Sequence, residues 1–134
     1  MKIGNIDIEE RVFIVAEIGN NHEGSYTLAE EMIGLAAASG ADAVKFQTII
    51  PEKLISIQQK ERIQQLKKFQ LSYFEYKKLF EVAKNEGVIF LSTPFDIKSA
   101  MFLNEFLLAF KIASGDNDFF PLIEAISKTG KPIF

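Results

Sequence analysis

The sequence predicts an α/β fold of consecutive βα units that form the first half of a (β/α)8 TIM barrel. Apolar runs too short for helices alternate with amphipathic helical patterns, and most of those patterns end at a glycine. This repeated order is typical of right-handed crossovers and a parallel sheet. Polar residues follow the apolar runs, and no Gly-x-Gly-x-x-Gly or Walker pattern occurs, which disfavours a nucleotide-binding fold.

Composition limits the classes of partner. The 134 residues are 48% hydrophobic and 25% charged, as expected for one globular domain or part of one. The net charge of -3 gives no long-range attraction to nucleic acid or to an anionic membrane. There is no cysteine, no apolar leader at the N-terminus and no stretch of the roughly 20 apolar residues that a membrane helix needs. We therefore expect a cytoplasmic protein.

The first part of the chain predicts a hairpin, a strand and a helix. Residues 2–8 alternate apolar and polar side chains, which indicates a small hairpin that closes one end of the fold. Residues 12–16 predict a strand buried on both faces that ends at Glu17. Thr27 and Glu30 have capping-box spacing, and the following helix should end at Gly40. Its predicted apolar stripe is Leu28, Met32, Leu35 and Ala36.

Two further runs, residues 41–48 and 109–114, each place a lysine inside an apolar strand. Equal parity on a strand means a shared face, so Lys45 lies with Gln47 while Phe46 points to the opposite face. Lys111 has the same phase between Ala109 and Ala113. The strand faces that carry the lysines and the small alanines should line a site. The opposite faces, which carry bulky apolar side chains, should pack against helices.

The remaining elements complete about four units. Residues 49–71 form a long, partly helical connection, whose length is typical of a functional segment. Ser72 and Glu75 predict a capping box, and Asp96 should cap the helix that follows the strand at 88–92. Residues 130–134 begin a fifth strand. A complete barrel needs about 250 residues, so we expect the chain to be the N-terminal half of one.

The candidate site residues all lie at predicted strand exits, where parallel α/β folds place their chemistry. They are Glu17, Lys45, Gln47, Thr93, Lys111 and Ser114.

The residue types suggest specific roles. Lys45 and Lys111 could hold a multiply charged anion, or each could pair with a buried acid. Glu17 could transfer a proton or form an ion pair with Lys45. Thr93 and Ser114 could contact a ligand or act as ordinary strand-end hydroxyls, and Gln47 offers amide hydrogen bonds. His22, the single histidine, is interpreted as a loop organiser, because one imidazole makes a poor metal site.

Several blocks of the sequence resemble the sialic acid synthase (N-acetylneuraminate synthase) family. They are residues 16–24 (AEIGNNHEG), 40–47 (GADAVKFQ), 91–96 (LSTPFD), 110–115 (FKIASG) and 129–132 (TGKP). The resemblance implies a barrel enzyme that condenses phosphoenolpyruvate with an N-acetylated hexosamine such as N-acetylmannosamine, forming a nonulosonic acid and releasing phosphate. It assigns Glu17, Lys45 and Lys111 to catalysis, and Gln47, Thr93 and Ser114 to substrate binding.

The resemblance also implies features that this chain would not supply. A divalent metal, manganese or magnesium, would have its ligands beyond strand five, so no metal ligand is expected among these residues. A C-terminal half-barrel and an antifreeze-like domain would be absent, and the complete enzyme is expected to be a homodimer.

Three departures from the family pattern leave the acceptor sugar open. Glu23 replaces the usual asparagine, Asp116 replaces the usual glutamate, and residues 104–109 are about one residue short with no glycine. The alternatives are a synthase of pseudaminic or legionaminic acid, or a non-catalytic fragment. The chain alone is expected to be inactive.

Overall fold

The computed structural model describes residues 1–134 as a parallel sheet covered by helices on one face. The strands are β1 Lys2–Ile3, β2 Ile6–Asp7, β3 Val15–Gly19, β4 Ala43–Thr48 and β5 Ile89–Pro94. The helices are α1 Tyr26–Ala38, α2 Pro51–Leu54, α3 Lys60–Lys67, α4 Tyr73–Asn85, α5 Ile97–Leu103 and α6 Phe120–Ser127, with a short 3-10 helix at Ser114–Asp116.

The main sheet has the order β3-β4-β5, and both of its pairings are parallel. Connections through α1 and through the α2–α4 segment return the chain to the same end of the sheet each time. All three strands therefore expose their carboxyl ends at one edge. This confirms the predicted α/β class of parallel βα units, in a barrel that is not closed.

Strand alternation separates two cores, as the sequence predicts. Val44, Phe46 and Phe90 belong to the large cluster under the helices, where Phe46 and Phe90 stack with their ring centroids 5.2 Å apart. On the other face, Ala43 and Leu91 pack with Ala109 and with Ile3 from the hairpin. Ile3 is 1% exposed, so the β1–β2 hairpin plugs the amino-terminal end of the sheet.

Strand β3 begins later than predicted. Val12 is 79% exposed and Ile14 is 55% exposed, so the interpretation of residues 12–16 as a strand buried on both faces is wrong. β3 is the edge strand of the sheet, and an edge strand lacks the second neighbour that would cover it.

Two of the three predicted helix caps are confirmed. Ser72 accepts from the backbone N–H of Glu75, and Glu75 in turn accepts from the backbone N–H of Ser72 at 2.7 Å. Asp96 accepts from the N–H of Ser99 at 3.0 Å. The expected cap at Thr27 is wrong, because Ser25 accepts from the N–H of Leu28 and starts α1 two residues earlier. The fully buried side chains of α1 are Ala29 and Ile33. Of the predicted stripe, Met32 and Ala36 pack partly buried against the same core, whereas Leu35 is 61% exposed.

The predicted fourth strand does not join β5. No backbone hydrogen bond links β5 to residues 108–113. Phe110 instead forms an isolated parallel bridge with Ile133, supported by the Phe110 N–H donating to the Pro132 carbonyl at 2.8 Å. Between α5 and Phe110, residues 104–109 form a series of tight turns.

The long connection between β4 and α4 is ordered by contact with the loop after β3. Gly24 has φ of +81°, and a Cβ built on it would lie 2.0 Å from the carbonyl oxygen of Lys68. Only glycine fits this approach. The contact therefore holds the C-terminal end of α3 over the carboxyl edge of the sheet.

Candidate functional site

A buried ammonium group marks the centre of the carboxyl edge. The Lys45 side chain is 7% exposed, and its Nζ lies 2.7 Å from Oε2 of Glu17 and 3.5 Å from Oγ1 of Thr93. Thr93 is buried, whereas the Glu17 side chain is 63% exposed. A buried ammonium is costly without partners, so these two contacts explain how the lysine is tolerated inside the fold.

The register of the sheet explains this convergence. Glu17 on β3 is paired with Lys45, and Lys45 is paired with Leu91 on β5. Thr93 lies two residues farther along β5, so the lysine side chain leans toward the carboxyl end to reach it. The three side chains meet because parallel strands bring their ends to one edge.

Gln47 lies on the same face as Lys45 and nearer to solvent. Its Oε1 accepts from Nδ2 of Asn20 at 3.0 Å, and its backbone carbonyl accepts from the hydroxyl of Tyr76 at 2.7 Å. Burial raises the pKa of Tyr76, so its hydroxyl stays protonated and donates this bond. The outward end of β4 is thus held from both its backbone and its side chain.

A pair of buried hydroxyls ties β4 to β5. Oγ of Ser92 and Oγ1 of Thr48 lie 2.8 Å apart, and both residues are buried. Their mutual hydrogen bond removes the penalty of burying either group alone. The pair fixes the spacing of the two strands whose ends carry Gln47 and Thr93.

Lys111 and Ser114 lie apart from this group in the hydrogen-bond network. Nζ of Lys111 donates to the backbone carbonyl of the adjacent Ile112 at 2.6 Å. Ser114 is exposed. The structure therefore brings Glu17, Lys45 and Thr93 into contact, but it shows neither Lys111 nor Ser114 bonded to them.

His22 organises the loop after β3, as the sequence suggests. It is fully buried, its Nδ1 accepts from the N–H of Gly24 at 3.1 Å, and its ring centroid lies 5.9 Å from that of Phe46. Burial lowers the pKa of His22, although the Glu75 carboxylate opposes the shift. The imidazole is therefore neutral near pH 7, which its acceptor role requires.

No group of three or more His, Asp or Glu side chains lies close enough together to hold a metal ion. His22 already uses Nδ1 within its own loop. Asp116 belongs to no cluster of possible metal ligands. Its burial, together with the charge of Asp118, raises the pKa of its carboxyl group. The residues present do not form a divalent metal site, and we assign no chemical step to a metal on this chain.

Sequence reasoning missed the two residues that hold Gln47. Asn20 lies in a turn-rich segment, and Tyr76 reads as part of the apolar stripe of α4. The signal available for Tyr76 was chemical, because a buried tyrosine hydroxyl usually finds a hydrogen-bond partner. The sequence contains no comparable signal for Asn20.

The parallel βα units define the class: an α/β protein of the barrel type, in which the buried Lys45 ammonium and its partners lie at the carboxyl ends of the strands. No helix has the length and apolar character needed to cross a membrane. The sequence pattern of the NeuB family matches residues 32–134, and the chain belongs to the NeuB family.

Similar proteins agree with this family. The chain is 38% identical to the N,N'-diacetyllegionaminic acid synthase of Campylobacter jejuni, over 92% of the chain and 41% of that protein. It is 34% identical to the pseudaminic acid synthase of the same organism, over 98% of the chain and 43% of that protein.

A solved structure matches the whole fold. The crystal structure of N-acetylneuraminic acid (sialic acid) synthetase from Leptospira borgpetersenii superposes with a TM-score of 0.94 at 34% identity, over 99% of this chain and 47% of that one. The chain thus spans less than half the length of these relatives.

Proposed function

We propose that this chain is the phosphoenolpyruvate-binding, N-terminal half of a synthase barrel that condenses phosphoenolpyruvate with an N-acetylated hexosamine to give a nonulosonic acid. The observation that carries the proposal is the buried Lys45 ammonium at the carboxyl edge, in contact with Thr93 and Glu17. In a buried site, a single ammonium binds a phosphate or carboxylate far more strongly than it would in water.

The chemistry divides among the named residues. The enol carbon of phosphoenolpyruvate forms a bond to the aldehyde carbon of the sugar, the aldehyde oxygen takes up a proton, and water attack leads to release of phosphate. Lys45, with Thr93, holds the anionic end of phosphoenolpyruvate, and Lys111, whose Nζ donates to the Ile112 carbonyl in this structure, supplies a second cation. Ser114 adds a hydroxyl from the same segment. These contacts orient the enol carbon, which is the main contribution such residues make.

Glu17 and Gln47 serve the acceptor. Glu17 is largely exposed beside Lys45, which suits a group that hydrogen-bonds a sugar hydroxyl or passes a proton to the new alkoxide. Gln47 is half-buried one step farther out. N-acetylmannosamine is one candidate acceptor, and the acceptors of the legionaminic and pseudaminic acid synthases are the alternatives, as the two relatives of those names suggest.

Lys45→Met tests the anion assignment. Calorimetric titration of the chain with phosphoenolpyruvate should show at least about a tenfold loss of affinity, because removing one charge-assisted contact in a buried site costs about 2 to 5 kcal/mol. Lys77→Met is the matched control, since Lys77 pairs with Glu105 on the exposed surface of α4. Equal affinity of the two variants would refute the assignment.

Turnover tests the reaction. Phosphate release from phosphoenolpyruvate, N-acetylmannosamine and manganese should be undetectable with the 134-residue chain alone. It should appear when the chain is fused to the remaining part of the legionaminic acid synthase, and the homodimeric state of that fusion can be measured directly. Turnover by the chain alone would contradict the division of labour proposed here.

A further inference from the structure

We propose that Asn20 is a specificity-determining residue for the acceptor sugar, acting by holding Gln47 as a hydrogen-bond donor to an uncharged oxygen of that sugar. The inference rests on the proposed function and concerns the outer part of the same site. Asn20 lies in the loop between β3 and α1, and its side-chain amide contacts Gln47.

The backbone places Asn20 beside Gln47. The β3–β4 register shifts between Glu17 and Gly19: Glu17 pairs with Lys45, but Gly19 pairs with Phe46. The extra residue is Ile18, and this bulge brings the residue after Gly19 level with Gln47. Bulges near binding sites commonly re-aim a side chain in this way.

The hydrogen bond determines which atom of Gln47 is free. An amide offers a carbonyl acceptor and an NH2 donor of nearly the same shape, so a fixed partner decides which one meets a ligand. Nδ2 of Asn20 occupies Oε1 of Gln47, and Nε2 is left without a partner. Gly19, with φ of +57°, leaves that nitrogen uncovered, because a Cβ at this position would lie in contact with it at 3.8 Å.

The surroundings favour an uncharged group. A crevice next to Gln47 is too narrow to hold a water molecule, and its walls, formed by Ile49, Leu66 and Phe69 with the amide of Gln70, carry no charged side chain. A ligand group therefore meets Nε2 at the rim of this crevice. The neighbouring ammonium, that of Lys45, is occupied by phosphoenolpyruvate in the proposed function, so a phosphate there would lose its hydration without gaining a free cation. A hydroxyl or acylamino oxygen needs only the donor that Nε2 supplies.

The experiment follows the side-chain amide signals of Asn20 and Gln47 by NMR in the 134-residue chain saturated with phosphoenolpyruvate. N-acetylmannosamine and N-acetylmannosamine 6-phosphate are titrated separately. We expect the signals of Gln47 to shift with the neutral sugar, and expect that sugar to bind more tightly than the phosphorylated one.

Variants separate orientation from charge. A carboxylate only accepts, so Asn20→Asp turns the Gln47 amide and presents Oε1, and about a tenfold loss of sugar affinity is expected. Asn20→Ala leaves the amide free to turn and should lose about threefold. The matched control is Asn21→Asp, which adds the same charge at an exposed neighbouring residue that makes no side-chain hydrogen bond. The sugar affinity of this variant should stay within about twofold of the wild-type value.

Each alternative outcome is decisive. Equal losses in Asn20→Asp and Asn21→Asp would overturn the inference, because charge alone would explain them. Tighter binding of the phosphorylated sugar, or phosphoenolpyruvate binding with no sugar response at Gln47, would overturn it and leave the proposed function standing. Failure to bind phosphoenolpyruvate at all would refute the proposed function instead. If Asn20→Asp fails to fold, the threefold loss in Asn20→Ala remains the test.

Discussion

Replacing Glu17 by glutamine should strengthen anion binding, although Glu17 is assigned to the reaction. Its Oε2 lies 2.7 Å from the Lys45 ammonium, the group to which we assign the substrate anion. An incoming phosphate or carboxylate therefore displaces Glu17 from Lys45 or shares the lysine with it against charge repulsion. Glutamine keeps the shape of the side chain and removes this competition.

The size of the gain follows from the exposure of the pair. A hydrogen bond to a charged group contributes about 1.5 to 3 kcal/mol when it is shielded from water. The Glu17 side chain is 63% exposed, so water screens its half of the pair, and exposed pairs contribute at most about 1 kcal/mol. We therefore expect about 1 kcal/mol, which corresponds to about fivefold tighter binding.

Calorimetry with phosphoenolpyruvate and with inorganic phosphate, at low and high salt, measures this change. Glu52→Gln is the control, because Glu52 pairs with Lys67 on the exposed surface of the α2–α3 segment and should leave anion affinity unchanged. Weaker binding by Glu17→Gln would show that the carboxylate belongs to the anion site. Unchanged binding would show that Lys45 does not receive the anion. In the active fusion the same variant should turn over more slowly, since the group that handles the proton is lost.

Three further predictions concern the loop after β3. Burial lowers the pKa of His22 below 6.5, so the unfolded state binds more protons than the folded state. The free energy of unfolding should therefore be constant above about pH 7 and fall below pH 6.5. In urea titrations, His22→Gln should flatten this profile. Glu23 has φ of +52°, so Glu23→Gly should stabilise the chain by about 1 kcal/mol, whereas Glu23→Ala, which keeps the strain, should bring no gain. Gly24→Ala should destabilise the chain by about 2 to 3 kcal/mol, through backbone strain and the clash with Lys68. Gly34→Ala in α1, where nothing lies within 4 Å, should stabilise the chain. Equal effects of the two substitutions on stability would contradict the contact between Gly24 and Lys68.

Local rules predicted the parts of the fold that depend on local chemistry. The capping residues Ser72 and Asp96 were found because their side chains bond the backbone three residues away. The alternation around Lys45 correctly separated the helix-covered face from the site face. Thr27 failed as a cap because Ser25, two residues earlier, offered the same chemistry in an equally suitable position.

The other errors of topology concern contacts between distant segments. Whether residues 109–114 pair with β5 or with the chain at Ile133 depends on how the turns after α5 aim the backbone, and no periodicity encodes that direction. The contact of Glu17 and Thr93 with Lys45 could be anticipated from strand ends alone. The bulge that brings Asn20 to Gln47 could not, because one extra residue in an edge strand leaves no compositional trace.

The hairpin at the start of the chain has an electrostatic effect at the opposite end of the sheet. Ile3 seals the space beneath Ala43 and Leu91, and Ala43 is the inward-facing residue directly below Lys45. Water entering from that side would raise the local dielectric constant and weaken every interaction of the ammonium, because Coulomb energies scale inversely with it. If Lys45 binds an anion as proposed, its affinity should therefore depend on an isoleucine that lies at the other end of the sheet. Truncating the first eight residues should reduce that affinity even where the sheet itself remains folded.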